Sequence, residues 1–151
     1  MTSTVLILVA VAAVGVLMWM LRKRSASDAL ARYSDRRRDS SRLVGRGEFI
    51  DGSRRMQVAL ALTDGTLYYE NSDMQGSLER QWIHEVEYDD ELTTGQSIGG
   101  ATVLRLRCFS QTFEFLLPKP VVREWKLALP PHHMSSPDAA GVAMSVAGEA
   151  R

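Results

Sequence analysis

Met56-Gln57-Val58-Ala59-Leu60-Ala61-Leu62-Thr63-Asp64-Gly65-Thr66-Leu67-Tyr68-Tyr69-Glu70-Asn71 carries the clearest fold signal in the chain. Val58, Leu60 and Leu62 alternate with small or polar residues, Asp64-Gly65 interrupts them, and Leu67 and Tyr69 resume the alternation. Asp-Gly between two such runs is a strong signal for a hairpin closed by a two-residue loop. With Asp64-Gly65 as that loop, Leu62 faces Leu67 and Leu60 faces Tyr69, so one face of the pair is apolar throughout.

A second hairpin is expected around Ser110-Gln111, which sets Cys108 opposite Phe113, Leu106 opposite Phe115 and Leu104 opposite Leu117, with Arg107 facing Glu114 on the other side. Gly47 to Ile50 supplies an opening strand. Leu78 to Ile83 and Val86 to Leu92 supply two more, separated at His84-Glu85, and Gly95 to Gly100 reads as a flexible connection. The total is about seven short strands. Pro120 suits a first helical turn, and Val121, Val122, Trp125 and Leu129 then fall within one sector of a helix. A helix that short is marginal alone, so its apolar stripe is expected to close the open end of the sheet with Trp125 as the plug.

Seven antiparallel strands followed by one amphipathic helix resemble the pleckstrin-homology-like superfold. Leu62-Thr63-Asp64-Gly65-Thr66-Leu67-Tyr68-Tyr69 is similar to the strand-turn-strand of bacterial PH-like and GRAM-like domains, and Trp82-Ile83-x-x-Val86 to a later strand of those families. The resemblance implies a small antiparallel barrel over residues 44–130, capped by its C-terminal helix. Phosphoinositide-binding members present basic residues around the open barrel end. Residues 47–130 instead hold eight basic and thirteen acidic side chains, which argues against headgroup binding by the barrel. Arg54 and Arg55 are the local basic pair that could still contact a headgroup.

The rest of the chain divides by charge. Its 18 basic and 18 acidic residues cancel overall, yet residues 22–46 hold nine basic side chains against three acidic ones. Before them, Thr2 to Leu21 contains no charged residue. At about 1.5 Å per residue such a helix is roughly 30 Å long, the thickness of a bilayer's hydrocarbon core. Residues 1–21 are therefore expected to form a transmembrane helix, with Trp19 at the headgroup level. A cleaved leader, with Ser25-Ala26-Ser27 as the small-residue site, a buried soluble helix and a lipidated N-terminus compete with this reading, the last without a cysteine nearby. Arg22-Lys23-Arg24, directly ahead of that triplet, argue against translocation of the downstream chain. The positive-inside rule then puts the N-terminus outside and the C-terminal domain in the cytoplasm, at the cell's inner membrane.

Residues 22–43 read as a basic juxtamembrane linker or short surface helix. Arg22, Lys23, Arg24, Arg36, Arg37 and Arg38 are its expected membrane-surface contacts, each contributing about 1 kcal/mol near anionic lipid. Enforcing topology alone would account for the same arginines. No stacking aromatics or basic folded surface accompany them, so nucleic acid is not an expected partner. Residues 131–151, rich in Ala, Ser and Gly, read as a disordered tail.

Little in the sequence suggests catalysis. His84 and Glu85 are neighbours on a strand and point to opposite faces, so adjacency does not make them an acid-base pair. Cys108 reads as a buried small hydrophobe, and one cysteine supplies neither a disulfide nor a thiolate zinc site. His132 and His133 lack companion ligands. The acidic run Glu85, Glu87, Asp89, Asp90, Glu91 has no central glycine for a calcium loop and reads as a solvated face. Thr93 to Gly100 lacks the lysine and the helix of a phosphate-binding loop. No metal or cofactor is expected. The expectation is a non-enzymatic, single-pass membrane protein whose cytoplasmic PH-like module engages a protein partner through the Glu85 to Glu91 face or a sheet edge. The alternative is a module that senses or binds anionic lipid.

Overall fold

Asp64-Gly65 turns the chain where the register arithmetic places it. In the computed structural model, which describes residues 2–133 (without the side chains of 2–11, 22, 23, 25 and 26), the protein is mainly β with a C-terminal helix. The chain forms two compact units, residues 1–80 and 81–151.

The first unit begins with a long helix, α1 (Thr2–Arg38), followed by a meander of β1 (Leu43–Asp51), β2 (Arg54–Leu62), β3 (Thr66–Glu70) and β4 (Gln75–Glu79). β2 pairs with β3 in the expected register, Leu62 against Leu67 and Leu60 against Tyr69. Val58, Leu60, Leu62, Leu67, Tyr69 and Leu78 form the buried core face. Ala59 and Ala61, on the opposite face of β2, are buried too. Their small side chains let the C-terminal turns of α1, with buried Leu30 and Ser34, lie against β1 and β2.

The basic segment is thus more than a linker or a surface helix: it is a continuation of α1 to Arg38 that docks onto the sheet. Arg37 adds polar contacts to this packing, with its guanidinium 3.7 Å from the Tyr68 ring centroid and its Nε 3.4 Å from Glu70 Oε1. Among the described residues no helix is long and apolar enough to cross a membrane. The first eleven residues of the span expected over 1–21 lie outside the described side chains.

Gly76 closes the meander for a steric reason. The Tyr69 ring, tilted against Phe49 with centroids 5.2 Å apart, lies over the backbone opposite and fills the space a β-carbon would take.

The second unit contains β5 (Ile83–Asp89), β6 (Ala101–Cys108), β7 (Gln111–Pro118), the helix α2 (Val122–Ala128) and the two-residue strand β8 (His132–His133). The break after β4 is a 3-10 turn at Arg80–Trp82, not at His84-Glu85, and His84 sits in β5 at a register irregularity. The β6–β7 loop is Phe109-Ser110, not Ser110-Gln111. Cys108 pairs with Gln111, Leu106 with Phe113 and Leu104 with Phe115, so Arg105 rather than Arg107 faces Glu114. A shift of two residues keeps every side chain on its own face, which is why the burial pattern alone did not exclude it.

The connection expected to be flexible folds back on itself. Leu92 and Ile98 are buried, and the N–H groups of Leu92, Gly95 and Ile98 donate to the carbonyls of Gln96, Leu92 and Asp90. Trp125 and Leu129 are fully buried, and the Tyr88 hydroxyl donates to the Leu129 carbonyl at 2.8 Å. Burial pushes the Tyr88 phenol well above its ordinary pKa. His132 and His133, expected to belong to the tail, pair with Val86 and Glu85 of β5. Residues 134–151 of that tail lie outside the described residues.

Candidate functional site

β5, β6 and β7 lie side by side, so alternate residues make rows across three strands. Glu85, Glu87 and Asp89 share one face of β5, where Glu87 stands opposite Arg105 and Glu85 opposite Arg107. On the far side of β6, Arg105 stands opposite Glu114 of β7. One row therefore reads Glu87, Arg105, Glu114.

Arg105 is the hub of this face. Its Nη1 donates to Glu87 Oε2 at 2.9 Å and to Asp89 Oδ2 at 3.3 Å, its Nε to Glu114 Oε1 at 3.1 Å, and its Nη2 to the Glu91 carbonyl at 2.8 Å. Burial opposes the charge, but the bonds to Glu87, Glu114 and Asp89 outweigh it and hold the guanidinium pKa above its ordinary value. Glu114 is itself buried and also accepts from Thr93 N–H and Thr93 Oγ1, both at 2.8 Å, which pins the loop after β5 to the ladder. The Asp90 N–H first, with the Arg105 guanidinium among the further donors, holds the Asp89 carboxyl below its ordinary pKa.

The next row is Glu85 and Arg107. Glu85 Oε2 lies 3.2 Å from Arg107 Nε, and its Oε1 lies 2.6 Å from His133 Nδ1. Of the five acidic residues expected to form a partner face, Glu85, Glu87 and Asp89 are thus tied to arginines. Asp90 and Glu91 stand exposed at the end of β5. The face stays partly solvated, with the Glu87 and Asp89 side chains 46% and 42% exposed, and it is also a cross-strand lattice whose arginine donors were missed. The signal was present: Arg105 and Arg107 have the same two-residue spacing as Glu85, Glu87 and Asp89.

The expected basic contacts do not act as a set. Arg24, Arg36 and Arg38 are exposed, Arg36 lying 5.2 Å from the Tyr33 ring centroid and Arg38 3.4 Å from Asp35. Arg37 is turned toward the sheet against Tyr68 and Glu70 and is only partly exposed. The side chains of Arg22 and Lys23 lie outside the described residues. Arg54 and Arg55 are exposed beside the β1–β2 turn, where Arg54 pairs in register with Asp51 and Gly52 supplies a φ of 59°.

Two other surfaces carry chemistry. A polar cleft of about 390 Å³ is lined by residues including Tyr33, Arg36, Asn71 and Asp73, and Asn71 Oδ1 there accepts the N–H groups of Asp73 and Met74. At the start of β5, Trp82, His84 and Phe109 form an aromatic cluster, with Trp82 and Phe109 exposed.

Cys108 is buried, which pushes its thiol pKa up. Among the described residues no group of three or more His, Cys, Asp and Glu side chains could hold a metal ion. Comparison with known protein families, with curated proteins and with solved structures finds no match.

Proposed function

We propose that the chain is a non-enzymatic module anchored by a single N-terminal membrane span, whose PH-like β domain meets a protein partner at the inner membrane surface through the exposed end of its acidic ladder. The observation that carries the anchor is the stretch from Val14 to Leu21. Val14, Val16, Leu17, Met18, Trp19, Met20 and Leu21 are each half or more exposed and together cover every side of α1. A helix apolar all round needs either a protein core or lipid around it. Thr2 to Leu21, free of charge, is long enough to span, and the arginines beyond it favour the cytoplasm for the remainder.

For the partner face, the support is rigidity. Arg105 and Thr93 fix the backbone that presents Asp90 and Glu91, so a basic partner would meet preorganised carboxylates and lose little entropy in ordering them. Arg54 and Arg55 carry the alternative, contact with anionic lipid, because both are exposed at a hairpin turn.

A photo-crosslinking residue placed at Asp90 in the full chain, expressed in membranes, tests the two. The expected result is a discrete protein adduct that weakens with rising salt and is lost in Glu91→Lys. Adducts to lipid alone at position 90, with a protein-free lipid adduct also when the crosslinker is placed at position 55 instead, would overturn the protein-partner reading in favour of the lipid one.

A further inference from the structure

Phe109 occupies the β6–β7 turn with φ at 54°, a left-handed conformation that a bulky residue rarely adopts and glycine adopts freely. It is 68% exposed. The ring of His84 meets it edge-on at 5.1 Å, and Trp82, itself 45% exposed, lies 6.5 Å away. Strain and exposure at one aromatic residue work against the stability of the unit, so they point to an outward use.

Charge along β5 supplies the direction. At the Ile83 end the nearest carboxylate, Glu85, is neutralised by Arg107 and paired with His133. At the Asp89 end, about 20 Å away along seven residues, Asp90 and Glu91 are exposed. One end of the second unit is aromatic with its charge balanced, and the other is acidic. Near an anionic leaflet the acidic end is repelled, while an indole settles at headgroup depth and a phenyl ring can be buried beside it at the acyl boundary.

We infer that Trp82, His84 and Phe109 form a lipid-insertion tip that seats the second unit on the bilayer, with its acidic end turned toward the cytoplasm. The inference rests on the membrane-anchored reading above and adds to it a second, non-covalent attachment. Tethering by the span keeps the local lipid concentration high, so even a weak tip would be engaged for much of the time.

The test uses the full chain reconstituted into vesicles of phosphatidylcholine and phosphatidylglycerol, with and without bromine on the acyl chains. Trp19→Phe removes the tryptophan of the span, and Trp125 is fully buried. The difference between Trp19→Phe and Trp19→Phe/Trp82→Phe therefore reports Trp82 alone. Bromine is expected to cut that emission about twofold, as for an indole at the interface. Phe109→Gly suits the turn's own backbone, so it should keep or raise the thermal midpoint while abolishing most of the quenching. Unquenched Trp82 emission in a chain that resists carbonate extraction overturns the tip. Quenching in a chain that carbonate extracts overturns the span and leaves the tip standing. Neither quenching nor resistance overturns both.

Discussion

Glu70 and Glu114 are the two carboxylates buried in the described chain, one in each unit, and each meets an arginine. The resemblance ends there. Glu114 receives three hydrogen bonds on one oxygen, from Arg105 on the adjacent strand and from the backbone and hydroxyl of Thr93. Glu70 is reached by Arg37 at 3.4 Å from a helix 33 positions away, and that guanidinium divides its interaction between the carboxylate and the Tyr68 ring. Neighbouring strands hold the first pair in place before any side chain moves. The second pair is itself part of what holds α1 down. The same two residue types thus make a rigid lattice in one unit and a docking contact in the other.

Removal of the arginine should separate the two most sharply. Arg105→Met leaves Glu114 buried beside Glu87 and Asp89 without its cation, which is expected to cost about 3 kcal/mol or more in chemical denaturation. An equal loss from Arg37→Met would break the comparison. Gly76→Val comes next, because the added side chain must displace the Tyr69 ring. A cost of about 1–3 kcal/mol is expected, read as a lowered thermal midpoint.

Arg37→Met is expected to cost about 1 kcal/mol, since it removes a part-exposed ion pair and one cation–π contact. Hydrogen exchange should quicken in residues 27–38 and stay unchanged in β5 to β7. The smallest effect is on acid stability. A carboxyl held below its ordinary pKa stabilises the fold above its unfolded value, near pH 4, and loses that contribution as pH falls through the lower folded value. Asp89→Asn should therefore flatten part of the decline in stability below pH 4, measured by denaturant titration at stepped pH.

The two hairpins show how far a sequence discloses its own register. Asp64-Gly65 names its turn by chemistry, so β2 and β3 were legible to the residue. At the second hairpin the true loop holds Phe109, a residue type that gives no turn signal, and the slip of two preserved both burial and an Arg–Glu pair. Placing β5 does not separate the registers either, because the slipped one would line up Glu85, Arg107 and Glu114 in the same kind of row. Docking of α1 was hidden for another reason. Besides the lone Leu30 it uses two alanines of β2 and a charged side chain, and neither of those types signals burial in a one-dimensional pattern. The acidic run was visible as a run, while its arginine partners lie 16 to 22 positions away.

β8 is only two residues long, yet it covers the main-chain groups of Glu85 and Val86 on β5. Bare strand margins recruit other strands, and proteins commonly blunt them with a short overlay or a charge. A chain ending at Pro131 would keep every described strand of the second unit except this hem. Such a truncated protein should self-associate through β5 as its concentration rises, an outcome that sedimentation velocity would register as dimers absent from the full-length form.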